Sequence, residues 1–303
     1  MENRLRLHDL SMLICAPMLA LLCSCAQTIE TPEDSTALLP DNVVESILTT
    51  TTSSTTATTT TTTAMTIDPA WQENAIGNYN GNHGIVIQNV PHYTQFTSYL
   101  TACESLASVS VLQYYGINMD IDRFIDEYLP RAWYPVAGDD GMLHGESPWE
   151  YFIGDPRDGG GFGCYNTAIA KAINKIADGL AITLDHVSID DLCKNYIDKG
   201  QPVIFWATIN MQSPYVSQFK WYLPNGELYE FINPEHALVL IGYDDNYYYF
   251  SDSMSHTDIT PYSKATVQTA YDGLFQQAVV IDPLVLETLP QSLRTPKEPV
   301  SNG

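Results

Sequence analysis

The 303-residue chain carries 36 acidic against 13 basic residues, a formal net charge of −23. That balance excludes nucleic acid, or an anionic membrane surface, as a partner held by charge, and it suits neutral or basic substrates or simple solubility outside a cell. The six cysteines form no CxxC pair and have no zinc spacing with histidine, and no HExxH occurs, so neither a metal centre nor a cofactor is expected.

Residues 1–24 read as a secretory signal. Arg4 and Arg6 supply positive charge, and the apolar run from Met12 to Leu22 is too short to span a bilayer as a stable helix. The run ends in Leu22-Cys23-Ser24-Cys25, which resembles a bacterial lipobox and makes Cys25 the lipidated N-terminus; a plain signal peptide is the alternative. Residues 25–65 are then a disordered tether, nearly all threonine from Thr49 to Thr63. About 40 residues of coil reach on the order of 35 Å. These features place the protein outside the cell, on the membrane through a lipid anchor only. Of the cysteines, Cys103, Cys164 and Cys193 remain in the domain; if Cys103 stays free, the other two are the pair that oxidation would link.

Residues 66–283 form one domain of ordinary size. Gly84–Val90 reads as a strand. Gln95 follows, an amide that can serve as an oxyanion donor. Thr101 to Gly116 is a buried helix, with Thr101 and Glu104 spaced as a capping box and Gly116 as its stop. Cys103 falls in its first turn, where unpaired amides favour a thiolate, although Glu104 opposes one. A small buried hydrophobe is the plainer reading of Cys103. Helices are expected at Ile121–Leu129, Asn166–Asp178 and Ile189–Lys199, and strands at Ile182–Val187 and Pro202–Thr208. Residues 130–163 form a long loop, one wall of a cleft; their glycines lack a phosphate-loop pattern. Residues 211–235 read as a polar, aromatic loop with a turn at Asn225-Gly226. Then come a strand from His236 to Tyr243, a turn at Asp244–Asn246 and a returning strand from Tyr247 to Asp252. Ala278–Ile281 is a last strand, and residues 284–303 a loose tail.

The hairpin brings Asp252 across from His236, and one helix start presents Cys103. An imidazole that takes the thiol proton, a carboxylate that orients the imidazole, and an amide at the oxyanion make a thiol nucleophile. Asp244 and Asp245 are rival carboxylates. Strand-end histidines and turn aspartates also occur with no such task.

These pieces together resemble the C39-like cysteine peptidases, a branch of the papain-like fold. The matching stretches are Val90–Gln95, Thr101-Ala102-Cys103-Glu104-Ser105, Tyr114-Tyr115-Gly116, Gly154-Asp155-Pro156, Gly161–Tyr165 and His236–Asp245. The resemblance implies an α+β fold, with a nucleophile helix packed against an antiparallel sheet. It implies catalytic Cys103, His236, Asp252 and Gln95, and a peptide or protein substrate. The chain departs from many relatives at Cys103-Glu104-Ser105, where they have Cys-Gly-Pro, and at Asp252-Ser253, where they have Asp-Pro. Two other readings stay open: a surface binding module that kept the fold and lost the chemistry, and a cell-wall amidase.

Overall fold

The structure is a computed structural model that describes residues 76–77 and 84–295. The expected signal, the expected lipidation site Cys25 and the expected tether lie outside the described residues.

An antiparallel sheet of eight strands organises the domain. Its strands are β1 (Ile76–Gly77), β2 (Ile85–Ile87), β3 (Ala181–Asp185), β4 (Val203–Thr208), β5 (Glu235–Tyr243), β6 (Tyr247–Ser251), β7 (Thr260–Ser263) and β8 (Gln277–Ile281). The path runs β1-β2-β5-β4-β8-β3, with β6 paired to β5 and β7 to β6. Every residue of β4 and of β8 is buried. Their continuous apolar runs suit strands covered on both faces. The expected hairpin forms, with Val239 opposite Ser251 and a register shift between Leu240 and Gly242.

Helix α1 (Cys103–Tyr114) packs on β5 and β4. Its residues from Cys103 to Leu112 are all buried, as a helix apolar over most of its circumference requires. Gly116 ends it in the left-handed conformation, at φ +74°. The expected capping box does not form. Ala102 is the N-cap and offers no side-chain acceptor. The Thr101 hydroxyl instead donates to the Asp158 carbonyl at 2.8 Å, anchoring the loop that follows Asp155.

Two expected loops are ordered differently. Tyr215–Tyr222 and Leu228–Asn233 pair as an antiparallel hairpin around the Asn225-Gly226 turn, where a polar, aromatic loop was expected. Its side chains alternate too weakly between faces to read as strands, because much of the hairpin is exposed on both. The stretch expected as a loose tail holds a helix at Pro283–Thr288, capped by Asp282, and the Thr295 amide donates to the Gly116 carbonyl at 2.7 Å.

Candidate active site

Asp252 follows directly on β6 and His236 is the second residue of β5. Their side chains meet at 2.7 Å, His236 Nε2 to Asp252 Oδ1, and each is only 1% exposed. The Tyr262 hydroxyl donates to Asp252 Oδ2 at 2.7 Å, and the Met254 amide to Oδ1 at 2.8 Å. Burial pushes the Asp252 carboxyl up, but the hydrogen bond from His236, the imidazole's charge and the other two donors outweigh it and bring the pKa to about 2. Asp252 is therefore a carboxylate that can only accept, so Nε2 carries the proton. In the neutral imidazole Nδ1 is then the basic nitrogen. Nδ1 is buried and has no hydrogen-bond partner among the described residues.

The rival carboxylates have other settings. Asp244 Oδ1 accepts the Asn246 and Tyr247 amides, both at 2.7 Å, and so builds the turn. Asp245 is exposed.

Cys103 is the first residue of α1, where its own amide has no intrahelical partner. The sulfur lies against the Ala237 amide, one residue beyond His236. A small cavity beside it is lined by Tyr93, Ala107, Ser110, Val239 and Ser253. Gln95 is buried beneath the same region. Its Oε1 accepts from the Ser253 hydroxyl at 2.6 Å, and its Nε2 donates to the Leu100 carbonyl at 3.2 Å, leaving one further hydrogen on that nitrogen to offer.

Sequence reasoning missed a second acidic centre. Glu104, fully buried, accepts the Cys164 amide on Oε1 at 2.6 Å, and the Cys103 thiol donates to its Oε2 at 3.3 Å. Glu235 comes alongside, and a donor atom from each of Cys103, Glu104 and Glu235 lies within 4.8 Å of the others. Oε1 of Glu235 is shut off from solvent and has no hydrogen-bond partner among the described residues. Gly163, at φ +75°, makes room for both carboxyls: a Cβ there would stand 2.5 Å from Glu104 Oε1 and 2.7 Å from Glu235 Oε2. Only a glycine fits that contact and that conformation without strain.

Burial pushes the Cys103 thiol well above its ordinary value. The Glu104 charge adds to this, as does that of Glu235 wherever it is ionised, and the Ala237 amide counters it. In the resting site these effects work against the thiolate that the helix start favours. Helix-end stabilisation, worth about 0.3–1 kcal/mol, is too small to offset desolvation beside two carboxyls. The signal for this centre was adjacency. Glu104 follows Cys103 and Glu235 precedes His236, but Glu235 stands at the end of a stretch that reads as a loop.

Cys164 and Cys193 are both free thiols, so the expected link between them does not exist. They occupy different neighbourhoods. Cys164 sits by Glu104, its carbonyl accepting from Trp206 Nε1 at 2.9 Å, whereas Cys193 lies in the Ile189–Asn195 helix near Lys264 and Asp190.

The Peptidase_C39 like family matches residues 87–279, a span that includes the helix start, the carboxyl pair and the His236–Asp252 hairpin. The chain belongs to this C39-like family. Among curated proteins it is 31% identical over 183 residues to the uncharacterized protein YvpB of Bacillus subtilis (strain 168), covering 59% of this chain and 68% of that one. Among solved structures it shares its fold with a putative C39-like peptidase from Bacillus anthracis. That match has a TM-score of 0.58 and 24% identity, over 66% of this chain and 98% of the other. The mixed architecture and antiparallel sheet are thus those of a C39-like protein.

Proposed function

We propose that the protein is an exported, lipid-anchored cysteine peptidase of papain-like fold that hydrolyses peptide or related amide bonds. The observation that carries this reading is the His236–Asp252 bond, which leaves a basic, unpartnered Nδ1 on the strand that runs past Cys103. In the proposed cycle the Cys103 thiol leaves Glu104 and gives its proton to His236 Nδ1. The thiolate sulfur bonds to the substrate carbonyl carbon, whose C=O pair moves onto oxygen. The Cys103 amide and Gln95 Nε2 stabilise that oxyanion. The C–N bond then breaks, and the imidazolium returns its proton to the leaving amine. Water, deprotonated by Nδ1, cleaves the thioester and restores the thiol.

The aromatic hairpin supplies a surface for apolar substrate side chains. Phe162, next to Gly163, packs its ring against Phe219, Trp221 and Phe231 at 5.3–5.4 Å, and Phe219 remains exposed. Digestion of a peptide library by the wild-type protein and by Cys103→Ala tests the peptidase reading; turnover in the wild type that is lost in the variant supports it. For the anchor, mass spectrometry of the membrane fraction should find a chain beginning at a lipidated Cys25, and an unmodified N-terminus beyond residue 25 would refute it.

One observation favours a binding module of the same fold: the Cys103 thiol is engaged by Glu104. That reading requires no turnover by the wild-type protein under any condition that keeps it folded.

A further inference from the structure

Two carboxyl groups and a thiol meet at the start of α1, and no lysine or arginine forms an ion pair with Glu104 or Glu235 among the described residues. Two like charges this close, one on the fully buried Glu104 and one on the half-buried Glu235 with its Oε1 shut off from solvent, cannot both persist without a countercharge. A proton is the simplest one, and the contacts indicate where it resides. Glu104 accepts the Cys164 amide and the Cys103 thiol, so its oxygens act as a carboxylate's. Glu235 Oε1 has no hydrogen-bond partner among the described residues, which suits a neutral carboxyl group.

We propose that Glu104 and Glu235 hold one proton between them at neutral pH, resident on Glu235, and that the charge left on Glu104 pins the resting Cys103 as a thiol. Both are positioning residues: Glu104 sets the direction of the S–H bond, and protonated Glu235 keeps the site to a single negative charge. The inference rests on the peptidase reading for its purpose, since a thiol held in reserve is spared oxidation until a substrate displaces the contact. Its geometry does not depend on that reading.

The titratable groups around the pair come from every element packed on it. They are Cys103 on α1, His236 on β5, Cys164 and Tyr165 after the Gly163 turn, and Tyr229 from the aromatic hairpin. The two tyrosines bond to each other at 2.8 Å, and burial raises both above their ordinary values, so they stay neutral through the physiological range. Burial pushes Glu235 well up, with the Glu104 charge adding to it; burial also raises Glu104, against the pull of its own amide, the Cys164 amide, the Cys103 thiol and the His236 charge. The pair titrates as a unit, in two steps that belong to neither residue alone.

The test uses carboxyl carbon chemical shifts and the alkylation rate of Cys103 by iodoacetamide, each against pH, in wild type, Glu235→Gln and Glu104→Gln. In the wild type one carboxyl should remain protonated at pH 7. Cys103 alkylation should rise with pH less steeply than a single ionisation allows, because each proton lost from Glu235 makes the thiolate harder to form. Glu235→Gln should restore a single-step curve and speed alkylation at alkaline pH by at least tenfold. Glu104→Gln, where it folds, should speed alkylation tenfold or more already at pH 7. Two carboxyls both titrating below pH 5 with a Glu235→Gln curve superimposed on the wild type would overturn the proposal. So would a stoichiometric divalent cation in the purified protein. Because neither readout is peptide hydrolysis, failure here is separable from failure of the peptidase reading, which Cys103→Ala tests alone.

Discussion

His236 Nε2 donates to Asp252 Oδ1 at 2.7 Å, and neither side chain is more than 1% exposed. The carboxylate, its pKa brought down to about 2, fixes the proton on Nε2 and so the lone pair on Nδ1. Tyr262 donates to the other oxygen, Oδ2, and the Met254 amide shares Oδ1 with His236; together they keep the carboxylate from turning. Asp252→Asn removes the charge that supports an imidazolium and presents an amide N–H where Nε2–H needs an acceptor. The expected outcome is a fall in kcat of about 10²–10⁴ with KM little changed. Steady-state kinetics on a cleaved peptide would show it.

The same carboxylate links stability to acid. Its folded pKa is depressed, so the stability it contributes is present above the ordinary value of 3.8 and is lost as pH falls through about 2. In that window the unfolded chain binds more protons, and stability rises with pH. The gap corresponds to about 2 kcal/mol. Urea denaturation between pH 5 and pH 2 should show a shallower acid loss in Asp252→Asn than in the wild type; equal slopes would mean that this carboxylate is not linked to folding.

Much of this hairpin was legible in the sequence, because an apolar strand, an Asp-Asp-Asn turn and an aromatic return stand in a row and fix their own register. The helix from Cys103 to Gly116 was legible for a related reason: small and apolar residues fill nearly its whole surface. Its first turn was not. A Thr-x-x-Glu spacing carries no record of what else competes for the two side chains. Here Thr101 is taken by the carbonyl of Asp158 and Glu104 by the amide of Cys164, partners 57 and 60 residues away. The aromatic hairpin was lost because exposure on both faces erases the alternation that marks a strand. Tyr262 carried no signal, since only the folded sheet brings β7 to Asp252.

Gly163 is the position where a small change should do the most harm. Gly163→Ala would place a methyl group against both Glu104 and Glu235 and would hold an L-residue at φ +75°. The backbone strain alone costs about 1–3 kcal/mol. A fall in Tm is expected together with faster Cys103 alkylation at pH 7, because displacing Glu104 releases the thiol. A fall in Tm with unchanged alkylation would show that the turn is structural only.

Phe219 meets Phe162 edge to face and is still open to solvent. Phe219→Ala should raise KM for peptides with a bulky apolar side chain by a factor on the order of five, with kcat nearly unchanged, as uniform binding contacts do. Unaltered KM across a panel of such peptides would remove the hairpin from the substrate site.

The central claim is that Cys103, paired with His236, is a nucleophile. Its most direct measurement is mass spectrometry of the intact protein mixed with an activated peptide ester and quenched within the first turnover, in wild type, Cys103→Ala and His236→Ala. The expected result is an acyl group on Cys103 of the wild type that forms and decays. None should form in Cys103→Ala, and in His236→Ala it should form at least 10²-fold more slowly. Acylation of another residue, or a Cys103 that acylates equally fast without His236, would contradict it.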